Sequence, residues 1–381
     1  MRVLVAFDKF KDALSARRAC DVVATALRTK HPDWTFDLCP LTDGGEGFTE
    51  TLTTAATGRM ELHEVSGPRG LRLPAPIGYI DGERIPASAR TLLPGAPVTG
   101  RAAVIGLASA SGIELLARDL RDPWQTTTFG TGELVARAIE KNAGLILLGV
   151  GGSATNDLGL GALAALGFRF FARNDTPVAV PTPDQWARIT RIEPPARPFP
   201  PIFIACDVTN PLLGPRGATA TFGPQKGLAL ADIPHLEAEM ARMAALFAEA
   251  CGQPSALVET PGTGATGGLP FGLMAGTGAR LVPGFDFVAA WLDLPARLAT
   301  ADLVITGEGR FDATSLGGKG PGSLVREARR LGKRAHVFAG SLELPALSEV
   351  EGHAITPPDL PLAEALPRTA EFLAAAVFRA L

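Results

Sequence analysis

The first 38 residues read MRVLVAFDKFKDALSARRACDVVATALRTKHPDWTFDL, and their apolar pattern decides the fold class. Residues 3–6 form a short apolar run that ends just before Asp8, as expected of a buried strand. Residues 16–27 carry apolar side chains at helical spacing, and Ser15 before them is a favoured N-cap residue. Residues 34–38 follow as a second strand. The order strand, helix, strand predicts a right-handed βαβ unit with parallel strands.

Alternating strands and helices return near the C-terminus, while the middle of the chain has a different composition. Glycine and proline interrupt short apolar runs in residues 63–104, and residues 174–200 are proline-rich and irregular. We therefore predict an α/β fold with an inserted domain. The predicted terminal domain comprises residues 1–61 and 286–381, and the predicted inserted mixed α/β domain comprises residues 62–285. A simple tandem of two domains is the alternative.

Length and composition exclude several classes of protein. The 381 residues suit two domains, and an apolar fraction of 46% is enough to build their cores. The net charge of −3 and the lack of a long basic run argue against nucleic-acid binding. No apolar run approaches the roughly 18 residues of a membrane span, and the N-terminus lacks a signal-peptide pattern. We therefore expect a cytoplasmic protein that binds neither nucleic acid nor membranes.

Cysteine spacing and lysine usage narrow the chemistry further. The four cysteines stand far apart without CxxC spacing, which argues against a disulfide framework or structural zinc. Lysine is scarce, with 7 residues against 29 arginines. Four of these lysines lie beside aspartate or glycine in turn-like sequence, where a compact point charge suits phosphate. They are Lys9, Lys11, Lys226 and Lys319.

Five stretches combine turn-like backbone with acids or lysines, and most of them follow a predicted strand. They are FDKFK (7–11), TDGGEG (42–47), GVGGSATND (149–157), CDVTNP (206–211) and TGEGRFD (306–312), and GGKGP (317–321) closes the last. Ligands of α/β sheets bind beyond the carboxyl ends of strands, and glycine lets backbone N–H groups approach a phosphate. Acidic residues there can hold Mg²⁺ or accept a hydroxyl proton. The combination favours phosphoryl transfer.

Each stretch also has a structural interpretation, since a single glycine cluster after a strand is usually a turn. The presence of five such stretches favours function. GTGATG (262–267) matches the dinucleotide pattern GxGxxG, but no strand clearly precedes it, so an NAD-dependent dehydrogenase is a weaker hypothesis. The Walker A and GxSxG patterns are absent from the sequence.

At these residues the chain resembles the bacterial glycerate kinase family of the class-I type. The family's motifs correspond to residues 7–16, 42–47, 130–134, 151–159, 205–212, 222–227, 306–312 and 318–319. The segments ACDVTNPL (205–212) and FGPQKG (222–227) match without change. Three departures are Phe7 for proline, Ala13 for serine or threonine, and Leu158 for glycine. Because Ala13 lacks a hydroxyl, we assign it no substrate role.

The resemblance implies ATP-dependent phosphorylation of D-glycerate, with Mg²⁺ as cofactor and 2-phosphoglycerate as the favoured product. It also implies two α/β domains, a flavodoxin-like parallel-sheet domain and one similar to a restriction-endonuclease core, with the active site in the cleft between them. A homo-oligomer is left open. The alternatives are a kinase for another small hydroxy or sugar acid, and a non-catalytic sensor that binds a phospho-acid.

Roles for individual residues are hypotheses within this framework. The residues expected to neutralise anions are Lys11, Lys226 and Lys319. The candidates for orienting or deprotonating the substrate hydroxyl are, in order, Asp207, Asp43 and Asp8. The expected Mg²⁺ ligands are Glu308 and Asp312, or Asp43 and Glu46. The candidates for contacts to ATP or glycerate are Gly44, Gly45, Gly151, Gly152, Ser153, Asn156, Asn210, Gly307, Gly309 and Arg310.

Overall fold

Two units make up the chain in the computed structural model. Unit 1 comprises residues 1–43 and 288–381, and unit 2 comprises residues 44–287. The residues that the structure describes are 1–312, 315, 320–343 and 350–381. Among the described helices, none combines the length and the apolar composition needed to cross a bilayer.

Strands and helices alternate through both units. The strands are β1 (Arg2–Phe7), β2 (Thr35–Leu38), β3 (Arg59–Ser66), β4 (Arg72–Asp81), β5 (Arg101–Gly106), β6 (Ala143–Gly149), β7 (Arg169–Ala172), β8 (Pro177–Val178), β9 (Ile189–Glu193), β10 (Ile202–Cys206), β11 (Arg280–Pro283), β12 (Leu303–Phe311), β13 (Arg334–Leu342) and β14 (Val350–Ala354). The α-helices are Ala16–Lys30, Phe48–Ala55, Ala87–Arg90, Ala108–Ser111, Phe129–Glu140, Leu160–Ala165, Ala218–Phe222, Ile233–Ala250, Leu269–Thr277, Gly284–Trp291, Leu294–Thr300, Pro321–Arg330, Leu362–Ala365 and Thr369–Ala380.

Unit 1 is built on a five-stranded parallel sheet. Its order is β14–β13–β12–β1–β2, and every neighbouring pair is parallel. Numbered within the unit, this is the order 2-1-3-4-5 of flavodoxin-like sheets. The predicted flavodoxin-like parallel sheet built from both termini is therefore confirmed, and with it the opening βαβ unit.

The sequence of the first helix explains how it packs. Ser15 caps it, since the Ser15 side chain accepts a hydrogen bond from the Arg18 N–H at 3.3 Å. Ala19, Val23 and Leu27 recur at spacings of four and are fully buried. They join the unit 1 core with β1 and the C-terminal helix. Burial of this apolar face is what stabilises the helix on the sheet.

Unit 2 is a mixed α/β unit, as predicted. Its six-stranded sheet has the order β11–β10–β6–β5–β4–β3, with β3 to β5 antiparallel and β5 to β11 parallel. A separate three-stranded antiparallel sheet has the order β8–β7–β9. The prediction assigned residues 44–61 to the terminal domain. In the structure Phe48 and Leu52, on the helix Phe48–Ala55, are fully buried, and this helix packs on β4 and β5 of unit 2.

Two regions differ from the secondary structure that the sequence predicted. Residues 174–200 are not irregular throughout, since they contain β8, β9 and a 3₁₀ turn at Pro183–Arg188. This turn carries the fully buried Trp186, whose Nε1 donates to the Pro181 carbonyl at 3.0 Å. Only the first part of β12, residues 303–305, is a purely apolar run, and the strand continues through polar residues to Phe311. A glycine inside it, Gly307, lies so close to β13 that an added Cβ would stand 1.8 Å from the Phe338 carbonyl oxygen.

Candidate functional site

The carboxyl ends of the parallel strands of unit 1 bring several predicted site residues together. Asp8 directly follows β1, and Asp43 lies beyond β2. Glu308 lies on β12 directly after Gly307, the last residue of β12 that pairs with β1. The two central strands β1 and β12 are neighbours, and their connections run to opposite sides of the sheet order. In open α/β sheets, ligands bind outside the strand ends at such a switch point.

A cavity of about 550 Å³ opens at this point, and charged side chains surround it. Its acidic lining residues include Asp8, Asp43 and Glu308. Its basic lining residues are Lys9, Lys11 and Arg310. The cavity thus places hard carboxylate donors beside several cations, which is the composition that a metal–polyphosphate complex requires.

The carboxyl of Glu308, in this cavity, has a raised pKa. The pKa of its carboxyl is raised to about 7, mainly by burial and also by the negative charges of Asp8, Asp312 and Asp43, against a hydrogen bond with Ser315 that lowers it. A pKa near neutrality is typical of residues that exchange protons in catalysis. The crowding of acids also marks a position where a cation is favourable.

The backbone around Asp8 holds its carboxylate at the cavity wall. The Asp8 N–H donates to the Gly307 carbonyl at 3.0 Å, and Asp8 Oδ1 accepts from the Lys9 N–H at 2.7 Å. Gly309 faces the same segment, since a Cβ on Gly309 would lie 3.3 Å from the backbone nitrogen of Lys11. Gly309 therefore lets β12 approach the loop that carries Lys9 and Lys11. Gly307, by contrast, is buried against Phe338 and does not line the cavity.

Arg310 and Asp312 form an ion pair at the end of β12. Arg310 Nε lies 3.1 Å from Asp312 Oδ2, and two-thirds of the Arg310 side chain is exposed. Asp312 also accepts from the Ser315 N–H through Oδ1 at 3.2 Å. Arg310 Nη2 also lies 3.5 Å from Glu343 Oε1, so two carboxylates hold the exposed guanidinium at the rim of the cavity. Lys319, which the sequence predicted to neutralise an anion, lies outside the described residues.

In unit 2, the glycines of the two predicted loops pack against each other. Gly44 has φ +93°, and a Cβ on it would lie 2.9 Å from the Ala205 carbonyl oxygen at the end of β10. A Cβ on Gly151 would lie 2.7 Å from the Gly45 Cα. These positions require glycine for close backbone approach. Gly152, with φ +66°, is exposed, whereas Ser153 after it is buried.

Asp157 anchors the loop that follows β6, a role the sequence analysis did not assign. The residue is fully buried. Its Oδ2 accepts from the Thr128 N–H at 2.7 Å and the Thr128 hydroxyl at 2.8 Å, and its Oδ1 accepts from the Gly159 N–H at 3.1 Å. Burial raises the pKa of the Asp157 carboxyl, against these hydrogen bonds. In the sequence, Asp157 is simply an acidic residue after Asn156. Nothing in the sequence distinguishes it from the acidic residues of the other motifs.

Lys226 lies in the same interior, although the sequence grouped it with the exposed Lys11. It is 2% exposed, and its Nζ donates to the Thr155 carbonyl at 2.6 Å. Burial lowers the pKa of this ammonium to about 7, while the charge of Asp157 opposes the shift. Neighbouring Asn156 is also fully buried and donates from Nδ2 to the Thr219 hydroxyl at 3.1 Å. Lys226 and Asn156 thus hold the loop after β6 through hydrogen bonds in the interior of unit 2.

Asp207 and Asn210 hold other loops of unit 2. Asp207 Oδ2 accepts from the Phe285 N–H at 2.8 Å, at the start of the helix Gly284–Trp291. Asn210 donates from Nδ2 to the Arg216 carbonyl at 2.7 Å, and its own carbonyl accepts from the Gly262 and Gly264 N–H groups. Glu46 is exposed beside the N-terminus of the helix Phe48–Ala55.

The GxGxxG match at residues 262–267 has a packing explanation. It follows a 3₁₀ turn at Ser255–Glu259 and does not follow a strand. A Cβ on Gly264 would lie 2.0 Å from the Pro211 carbonyl oxygen, and a Cβ on Gly267 would lie 2.2 Å from the Thr155 carbonyl oxygen. The strand–turn–helix context of a dinucleotide site is missing, so this motif gives no support to a dehydrogenase.

Known proteins resemble the chain over nearly its whole length. A model of the glycerate kinase family matches residues 3–380. A "Glycerate kinase" of Bacillus subtilis is 34% identical, covering 98% of this chain and 95% of the relative. A "Glycerate 2-kinase" of Escherichia coli is 36% identical, covering 90% of this chain and 86% of the relative. The crystal structure of a "putative glycerate kinase 2" from Salmonella typhimurium LT2 has a TM-score of 0.77 at 34% identity, covering 100% of this chain and 97% of that chain.

Proposed function

This chain belongs to the glycerate kinase family, and we propose that it transfers the γ-phosphoryl group of ATP to the C2 hydroxyl of D-glycerate. The products would be 2-phosphoglycerate and ADP. The observation that carries the proposal is the unit 1 cavity, which joins Asp8, Asp43 and Glu308 to Lys11 and Arg310. The choice of C2 rests on the printed name of the Escherichia coli relative.

Mg²⁺ fits the donor set of this cavity. Asp8 and Asp43 line the cavity, and Asp312 lies at the end of β12, paired with the lining residue Arg310. All three offer carboxylate oxygens, the donors that Mg²⁺ prefers, and their charges add to the burial that raises the pKa of Glu308. We propose that these three aspartates hold the ion. When bound, Mg²⁺ neutralises charge on the phosphate oxygens of the nucleotide. Glu46, exposed in unit 2, has no part in this proposal.

Cations of the cavity would bind the anionic parts of the substrates. Lys11 is a mobile point charge suited to phosphate oxygens, whereas the Arg310 guanidinium can bind a carboxylate or phosphate through two parallel hydrogen bonds. Both are exposed. Lys319 keeps the same proposed role. The exposed residue Gly152, and the loop that Lys226 and Asp157 support, would offer a further anion-binding surface in unit 2.

Glu308 is the proposed acceptor of the C2 hydroxyl proton. Its pKa of about 7 lets it be ionised yet basic near neutral pH, which matches the requirement for a general base. Asp207, the first candidate from the sequence, instead accepts a backbone hydrogen bond from Phe285. We therefore propose that Asp207 positions the helix Gly284–Trp291, and that Glu308 takes over the role of base.

A substrate panel tests the activity directly. ADP release is measured with D-glycerate, L-glycerate, other small hydroxy acids and sugar acids, each with ATP and Mg²⁺. The proposal predicts the highest kcat/KM for D-glycerate. A higher kcat/KM with another acid would contradict the proposed substrate but not the proposed kinase activity. If the folded protein binds ATP and glycerate but releases no ADP, it is a sensor, and the proposal is contradicted.

A further inference from the structure

At the edge of the unit 1 sheet, strands β13 and β14 bring two histidines and a glutamate together. His336 of β13 is the register partner of Glu351, and Phe338 is the partner of His353. Register partners on parallel strands point to the same face of a sheet, and so do residues two apart. His336, Glu351 and His353 therefore share one face.

The three side chains have the spacing of metal ligands. His336 Nδ1 lies 3.0 Å from His353 Nε2 and 3.9 Å from Glu351 Oε2, and the three ligand atoms lie within 4.8 Å of one another. A tetrahedral zinc ion with bonds of about 2.0–2.1 Å separates its ligand atoms by about 3.3 Å. The Glu351 side chain is 69% exposed, so a rotation about its side-chain bonds can bring Oε2 from 3.9 Å to a ligand's distance from His336 Nδ1.

Packing fixes the two imidazoles in place. His336 is 4% exposed. The rings of His336 and His353 are parallel within 2°, and the His353 ring stacks on Phe338 with centroids 4.5 Å apart. Side chains that are already ordered lose little entropy when they bind a ligand. Burial also lowers the pKa of both imidazoles, and the neutral ring is the form that coordinates a metal.

We propose that His336, Glu351 and His353 form a binding site for a divalent transition-metal ion such as Zn²⁺, which ties the edge strand β14 to β13. Imidazole nitrogens favour Zn²⁺, Ni²⁺ and Cu²⁺ over Mg²⁺, which prefers oxygen ligands throughout. Three protein ligands leave a fourth position for water. The bound ion would stabilise an edge strand that is otherwise held from one side only.

This site is separate from the proposed active site. The cavity reaches β13 at Gly340 and Ser341. His336 lies four residues before Gly340, and His353 lies three residues before Thr356, another lining residue, which is about 13 Å and 10 Å of extended chain. A ligand at the histidine pair can therefore be tested without disturbing the phosphoryl-transfer residues.

Calorimetric titration with Zn²⁺ in the presence of excess Mg²⁺ tests the site, since Mg²⁺ competes with Zn²⁺ for the carboxylates of the cavity but not for imidazole nitrogens. The wild-type protein should bind one Zn²⁺ per chain, and its thermal midpoint should rise as Zn²⁺ is added. His353→Gln and Glu351→Gln should each weaken binding by at least about tenfold, because even indirect partners of metal ligands are worth about 10–100-fold. His235→Gln, at an exposed histidine of unit 2, is the matched control and should bind as the wild type does.

Two results would overturn the site. One is the absence of Zn²⁺ binding to folded wild-type protein. The other is unchanged affinity in both His353→Gln and Glu351→Gln. Circular dichroism melting without metal shows whether each variant is folded. Because Glu351 is exposed, its substitution leaves the fold intact and keeps the test valid if His353→Gln unfolds.

Discussion

The Nζ of Lys226 donates a hydrogen bond of 2.6 Å to the carbonyl oxygen of Thr155 in the interior of unit 2. Lys226 is 2% exposed, so its ammonium has no access to a phosphate in solvent. The contact instead fixes the backbone of the loop after β6, just before the buried Asn156 and Asp157. We therefore propose that Lys226 positions this loop, although the sequence predicted that it neutralises an anion.

Substitution of Lys226 should change how stability depends on pH. Its pKa is about 7 in the folded protein and near 10.5 in the unfolded chain, so the unfolded chain binds more protons between these values. Wild-type stability should therefore rise with pH relative to Lys226→Met from about pH 7 to pH 9, by at most about 1.4 kcal/mol per pH unit. Urea unfolding at several pH values measures the difference. Parallel stability curves for the two proteins would show that Lys226 is not buried in this way.

Asp157 should be a major contributor to the stability of unit 2. In Asp157→Asn, one side-chain oxygen becomes an NH₂ group that faces the donors of Thr128 or Gly159. Leaving charge-assisted hydrogen bonds unmade in the interior should destabilise the protein by about 2–4 kcal/mol. Asp119→Asn, at an exposed aspartate, should change stability by less than about 0.5 kcal/mol. Equal urea midpoints for Asp157→Asn and the wild type would contradict this role.

Glu308→Gln should trade activity for stability. Loss of a general base typically lowers kcat by about 10²–10⁴-fold, and the fall of wild-type kcat at acidic pH should disappear. The folded-state pKa of Glu308 is raised, so its favourable contribution is present at low pH and lost as pH rises through about 7. At pH 8 without Mg²⁺, Glu308→Gln should therefore be more stable by about 1–3 kcal/mol. A variant of lower stability, with normal turnover, would refute both statements.

Charge removal at Lys11 should weaken substrate binding. Lys11→Ala deletes a cation that lines the cavity, and we expect kcat/KM for ATP to fall by at least about tenfold, since a charge-assisted hydrogen bond is worth about 1.5–3 kcal/mol. Lys30→Ala is the matched control. Lys30 is exposed on the first helix, and its Nζ contacts the Phe378 carbonyl. Steady-state kinetics should show a lower kcat/KM for Lys11→Ala and an unchanged kcat/KM for Lys30→Ala. Equal values for the two variants would contradict a specific role of Lys11.

The sequence predicted the central strands of unit 1 because they are short apolar runs bounded by polar turns. It missed β14 and the helix Phe48–Ala55. Strand β14 reads VEGHA and lies at the sheet edge, where polar residues are tolerated and no apolar run marks it. The helix begins after Gly47 in a left-handed conformation without a side-chain cap, so it lacks a start signal. Both elements are stabilised by tertiary packing.

The candidate site could be predicted residue by residue but not as an arrangement. Asp8, Asp43 and Glu308 were identified from their motifs, yet only the strand order 2-1-3-4-5 places them around one cavity. Glycine was the least reliable guide. Gly307 and Gly151 were predicted to approach ligands, but the contacts described for them are with neighbouring backbone. Sequence patterns cannot distinguish a glycine that faces a ligand from one that packs on another strand.

The position of phosphorylation tests the central claim most directly. Phosphorus NMR of the product, after incubation of the wild-type protein with D-glycerate, ATP and Mg²⁺, distinguishes 2-phosphoglycerate from 3-phosphoglycerate by coupling to one or two protons on the ester carbon. Glu308→Gln, incubated in parallel, controls for uncatalysed transfer. We predict a doublet from 2-phosphoglycerate with the wild type and almost none with the variant. A triplet from 3-phosphoglycerate, or ADP with inorganic phosphate alone, would contradict the account.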